Sequence, residues 1–86
     1  MRFQGAIVKE QGITFAIVVV KPHVVQNSAE ANQTIQQFQP AFPRMPVVLA
    51  AQDSRGNFTY FGREDISRFL SSISPARIPW QEYTLG

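Results

Sequence analysis

The chain has no cysteine, one histidine and few charges, and each shortage closes off chemistry. Without cysteine there is no disulfide, no thiolate nucleophile, no dithiol redox pair and no Cys-bearing zinc site. The six carboxylates are spread along 86 residues, so no acidic cluster marks a site. Charged residues make up 16% of the chain, against about 25% in an average protein. Nine glutamines, among them Gln36, Gln37 and Gln39, supply much of the polar surface instead. An uncharged amide solvates a surface but steers nothing over long range. The net charge is +2 and is evenly divided. Arg2, Lys9 and Lys21 face Glu10 and Glu30 in the first half, and five arginines face Asp53, Glu64, Asp65 and Glu82 in the second. There is thus no basic tail and no acidic arm.

Long apolar runs are missing as well. The longest, Ile13 to Val20, is eight residues including Thr14, far short of the roughly 20 that cross a bilayer. The opening Met-Arg-Phe-Gln-Gly leads straight into strand-like sequence without the apolar core of a secretory signal. These absences predict a cytoplasmic protein with no membrane partner. At 86 residues the chain suffices for one domain, residues 1–86, since a chain of this length buries only about 60 to 65% of its unfolded surface in one core.

What is present is patterned. Phe3 to Glu10 and Ile13 to Val20 are rich in β-branched residues, and Gln11-Gly12 between them suits a tight hairpin turn, where glycine supplies a positive φ. Ile13 to Val20 is nearly continuously apolar, as a strand covered on both faces is, and belongs in the centre of a sheet. Lys21-Pro22 ends it and a loop to Gln26 follows. Asn27 with Glu30 three residues on forms a capping box for a helix whose apolar stripe is Ala29, Ala31, Ile35 and Phe38 and whose stop is Pro40. Pro46 to Ala51 is a short strand, Asp53 to Asn57 a hairpin loop, and Phe58 to Phe61 the returning strand. Glu64 and Asp65 open a second helix, where acidic groups complement the dipole. Its apolar residues Ile66, Phe69, Leu70 and Ile73 fall at i, i+3, i+4 and i+7, with Glu64 and Arg68 as an i,i+4 pair. Ser74-Pro75 ends it. Ile78 to Gly86 reads as an extended tail or short edge strand, because Pro79 is unfit for a central one.

The expected fold class is therefore an α/β (α+β) sandwich of order ββαββα with a C-terminal tail. A parallel crossover joins the second and third strands of a four-stranded mixed sheet, and helices make a second or third layer. Read from Ile13 instead, the order is βαββαβ, the ferredoxin-like arrangement, which admits an RNA-recognition domain. Its strand motif would fall on R-G-N-F-T-Y-F-G from Arg55, but Asn57 and Thr59 stand where aromatic residues are required. The motif is absent.

From Arg44 the sequence reads R-M-P-V-V-L-A-A-Q-D-S-R-G-N-F-T-Y-F-G-R-E-D-I-S-R-F-L. Residues 44–73 resemble the C-terminal half of the thioredoxin fold, in which a proline opens an apolar strand, a hairpin returns to a glycine, and an amphipathic helix closes the domain. The resemblance implies that Met45-Pro46 is a cis peptide and that Pro22 to Ser28 stands where the family carries its redox loop. The family's C-x-x-C is missing here, so no redox role is implied. The resemblance leaves a binding module on a Cys-less thioredoxin-like scaffold.

His23 is the one side chain whose ordinary pKa falls between pH 5 and 8. Beside the N-terminus of a helix it suits a general base or an anion ligand. With no orienting acid or nucleophile at recognisable spacing, it suits equally a loop residue exposed or packed on Val24 and Val25. Phe42 and Met45, in the proline-punctuated link P-A-F-P-R-M-P, either cap the core or form an exposed patch for a partner. The candidate binding surface is accordingly His23, Asn27 and Ser28 on one loop with Phe42, Arg44, Met45 and Pro46 on the other. No catalytic residue, metal ligand or cofactor is assigned. Arg55, Phe58, Tyr60, Phe61 and Arg63 mix guanidinium and aromatic groups as single-stranded nucleic-acid surfaces do, but strand alternation puts Phe61 on the opposite face from Phe58 and Tyr60. Trp80 and Tyr83 anchor the tail. The expected function is a small non-enzymatic module for a protein or peptide partner, as monomer or homodimer. The alternatives are a single-stranded nucleic-acid-binding domain and a small His23-dependent enzyme.

Overall fold

Alternation of buried and exposed residues in a computed structural model, which describes residues 1–10 and 12–85, divides the core into two clusters on opposite faces of one sheet. The strands are β1 (Arg2–Glu10), β2 (Ile13–Val20), β3 (Val47–Gln52), β4 (Phe58–Phe61) and β5 (Gln81–Thr84). They lie in the order β4-β3-β2-β1-β5, with β2 and β3 parallel and every other pair antiparallel. The sheet has five strands rather than four. The tail supplies the fifth, because Leu85 and Met1 exchange backbone hydrogen bonds at 2.8 and 2.9 Å and draw β5 alongside the start of β1.

β2 is central, as its apolar run demands. Phe15 and Ile17 enter one cluster, Ala16 and Val18 the other, and all four are buried. The Gln11 half of the expected turn before it lies outside the described residues. Gly12 has φ +80°, the left-handed conformation that suits glycine there.

The loop expected after Lys21 is in fact a single helical turn, α1 (Pro22–Val25). Proline at the first position of a helix gives up an N–H that has no intrahelical partner and arrives with φ already set. Asn27 then caps α2 (Ser28–Phe38), its Oδ1 accepting from the Glu30 N–H at 3.0 Å. Pro40 does not cut the chain off at once. A turn of 3-10 helix, Gln39–Ala41, follows α2 before the link to β3.

α1 and α2 cover one face, where Ala31 and Phe38 join Phe3, Val18 and Leu49. α3 (Glu64–Ser71) and a 3-10 turn at Pro75–Arg77 cover the other, where Ile66, Leu70 and Ile78 join Phe15, Ile17 and Val48. The result is a three-layer α/β sandwich. Asp53 closes the β3-β4 hairpin, its Oδ1 accepting from the N–H groups of Arg55 and Asn57 at 2.8 and 3.0 Å. Arg68 pairs with Glu64 across one turn of α3, as the spacing predicts.

Two expectations from sequence likeness are corrected. All described peptide bonds are trans, so Met45-Pro46 is not cis. The likeness over residues 44–73 reduces to the local unit β3-β4-α3. The ferredoxin-like order fails because that arrangement splits its βαβ units with an intervening strand. Here β2 and β3 are hydrogen-bonded neighbours, and β1 stands between β2 and β5. No helix is long and apolar enough to cross a membrane among the described residues.

Candidate functional site

The two predicted loops share one hydrophobic cluster through their apolar members. Val24, Val25 and Met45 all pack on the cluster beneath α2. Phe42 is 3% exposed and belongs to that cluster outright. Its ring meets Tyr83 and Phe3 edge-on, with centroids 5.5 and 6.0 Å apart. Phe3 in turn stacks on Tyr83 at 5.6 Å and meets Phe38 edge-on at 4.8 Å, so four aromatic rings tie β1, β5, α2 and the loop together. Phe42 therefore caps the core.

The link itself is clamped. Gln39 donates from one amide nitrogen to the carbonyls of Phe42 and Met45, at 2.9 and 2.7 Å. The Pro46 carbonyl accepts from the Ala16 N–H at 2.9 Å and begins the β2-β3 ladder. Asn27 spends its side chain on the helix cap. Ser28, His23 and Arg44 remain exposed, with Arg44 at φ +68°.

His23 does have a carboxylate nearby. Its Nε2 lies 3.8 Å from Glu30 Oε2, but the two side chains are 63% and 45% exposed, so water screens the contact. His23 lines none of the four principal clefts, all of which lie on the α3 face. Among the described residues no three His, Asp or Glu side chains are grouped to hold a metal ion.

The α3 face holds the second aromatic group. Phe58 stacks on Tyr60 at 6.0 Å and on Trp80 at 5.6 Å. The Trp80 Nε1–H donates to the Pro75 carbonyl at 3.0 Å and fixes the indole over a cleft of about 350 Å3 floored by Gln4, Val19 and Gln52. Phe61 faces the other way, as alternation requires. The mixed basic and aromatic set is thus divided between two faces, and the Phe58 ring is stacked on Tyr60 and on Trp80. The Tyr60 hydroxyl is buried without a hydrogen-bond partner, and burial raises its pKa.

A feature that the sequence reading missed lies along β1. This strand has nine residues and β5 has four, so β5 covers only Arg2 to Gly5. The reciprocal bonds between Met1 and Leu85 set the phase of the ladder: Met1, Phe3, Gly5, Ile7 and Lys9 turn their N–H and C=O groups toward the β5 side. Continued in register, β5 would set Pro79 opposite Ile7. Proline has no N–H to give, and the Trp80 N–H is turned onto the Ile78 carbonyl at 2.9 Å. Ile7 and Lys9 consequently have no backbone partner on that side among the described residues. Ile7 is also 43% exposed, a large aliphatic side chain open to water. Next to this edge is a cleft of about 230 Å3 lined by Val8, Glu10, Phe69, Arg77, Ile78 and Pro79, among others. The signal in the sequence was Pro79, which stands at the point where pairing stops.

No protein-family model matches the chain, and no match is found among curated proteins or solved structures.

Proposed function

We propose that this protein is a small non-enzymatic interaction module that takes an extended segment of a protein or peptide partner onto the open edge of β1. The observation that carries this reading is the pair of unpaired backbone groups at Ile7 and Lys9 beside an exposed isoleucine. A strand edge left open is a template for another strand; proteins usually blunt such edges with charge, bulges or a covering element. Here Lys9 is the one charge within the open stretch, Glu10 the one at its end, and among the described residues no element closes over Ile7, which is 43% exposed. Added strands gain main-chain hydrogen bonds from the edge and side-chain selectivity from neighbouring pockets. The cleft beside Val8 and Ile78 is such a pocket. The scarcity of catalytic groups supports the same reading.

Selection of displayed extended peptides on the folded protein tests it. The expected binders alternate apolar and polar residues, and they lose affinity at least tenfold on Lys9→Pro while Arg44→Glu leaves them unchanged. Lys9→Pro removes a donor from the open edge and none from the ladder with β2, because the groups facing β2 belong to Ala6, Val8 and Glu10. Binders that respond to Arg44→Glu and ignore Lys9→Pro would move the docking surface to the loops of His23, Ser28 and Arg44.

A further inference from the structure

We infer that the occupant of this edge is a second copy of the chain, paired antiparallel through Ala6 to Glu10 about a two-fold axis at Val8. The inference rests on the strand-addition reading above.

The register follows from geometry. Two copies that share one continuous sheet across a two-fold must place residues of the same face opposite each other. The sum of paired residue numbers is therefore even. Centring on Ile7 would set Lys9 of the second copy opposite Gly5, a place already held by Gln81. Centring on Lys9 leaves three residues of each copy in contact. Centring on Val8 sets residues 6–10 of the two copies opposite one another, the longest overlap that keeps the described residues of β1 off the stretch held by β5.

In this register Ile7 lies opposite Lys9 of the second copy. Both present their N–H and C=O groups outward, so the two symmetric pairs make four backbone hydrogen bonds. The aliphatic stem of Lys9 lies along the exposed Ile7 side chain, and Val8 meets its own symmetry mate in the closer, non-hydrogen-bonded type of pair. Charge agrees as well. Glu10 of the second copy comes opposite Ala6, on the sheet face where Arg77 and the chain's own Glu10 line the cleft. Neither Glu10 nor Arg77 has an ion pair within 4.0 Å among the described residues. The product is a ten-stranded sheet with both halves of the contact identical. A contact of one strand edge and its flanking cleft is small beside a permanent interface, so the assembly is concentration-dependent.

Sedimentation velocity on the full chain from micromolar to millimolar concentration is the test. The expected result is a weight-average mass that rises from the 9.7 kDa of one chain toward twice that value. Lys9→Pro should hold the mass at one chain throughout while its far-UV circular dichroism matches the parent. Ile7→Lys sets a second ammonium beside Lys9 of the other copy, changes a side chain that is already 43% exposed, and should do the same should the proline variant fold poorly. A parent chain that stays at 9.7 kDa throughout overturns the inference, as does a Lys9→Pro or Ile7→Lys chain that folds and still doubles. If the parent is monomeric yet the selected peptides bind in a Lys9-dependent way, the strand-addition reading stands and the second copy is excluded as the occupant. If neither association is found, both readings fall.

Discussion

Trp80 stacks on Phe58 with ring centroids 5.6 Å apart and planes 16° from parallel, although β4 and β5 form opposite edges of the sheet. The 3-10 turn at Pro75–Arg77 makes this contact. It carries the chain from the end of α3 across the face of the sheet, and the indole N–H holds to the Pro75 carbonyl. Trp80→Ala removes the stack, the hydrogen bond and the cover of the cleft over Val19. For a half-buried tryptophan the expected loss is about 2 to 4 kcal/mol, read as a lower urea midpoint. Trp80→Phe should recover part of it, since the ring returns without the donor. Unchanged midpoints in both variants would mean that the tail docks by its strand alone.

Arg44 stands at φ +68° in a link held by Gln39. A residue with a Cβ is strained in the left-handed region, and glycine is not. Arg44→Gly should therefore raise stability by about 0.5 to 1 kcal/mol, provided that the greater freedom of the unfolded glycine does not consume the gain. Chemical denaturation of the two proteins decides it. A loss greater than that of Arg44→Ala would show that the arginine has a structural contact of its own.

Gly62, between β4 and α3, has φ +154°. A Cβ at this position would lie 3.0 Å from Val48 Cγ2 and 3.2 Å from Val48 Cα. Strain and overlap act together, and the neighbour is buried backbone that cannot yield. Gly62→Ala should cost about 1 to 3 kcal/mol. It should also shift the resonances of Val48 and Ile66 more than those of α2.

The Asn27 cap satisfies one of the free N–H groups of α2. Asn27→Ala should cost about 1 kcal/mol, and Asn27→Asp should keep most of the stability. The change is expected in the thermal midpoint, with the fold intact.

Tyr60 predicts a pH dependence. Burial favours the neutral phenol, so its pKa in the folded protein is above the ordinary value of 10.0. Above that ordinary value the unfolded chain releases the proton while the folded one still holds it. The folded state then binds more protons, and stability falls as pH rises through the folded pKa. Tyr60→Phe should flatten this alkaline decline. At neutral pH it should be neutral or mildly stabilising, because the buried hydroxyl has no partner to lose. Urea midpoints measured from neutral pH to above about pH 10 provide both readings.

Local order was legible in the sequence because local chemistry sets it. The Asn27 cap, the Asp53 turn, the ends of β4 at Phe58 and Phe61, and the Glu64 to Ile73 stripe all depend on residues within a few positions of one another. Of the candidate surface, residue type alone did not separate Phe42, which is buried, from Arg44, which is exposed. Both sit in the same proline-rich link, and the difference comes from the rings of Phe3 and Tyr83, some 40 residues away on either side.

The sequence by itself determined β1 to β4, α2 and α3, the central place of β2 and the absence of thiol chemistry, since each follows from residue type or short-range spacing. The tertiary structure decided between an extended tail and a fifth strand, and it alone set the open edge. Whether the tail pairs with β1, and how far, depends on register between residues more than seventy positions apart and on Pro79 meeting the ladder opposite Ile7. An edge is a property of what fails to pair, and pairing is settled only when the whole sheet is assembled.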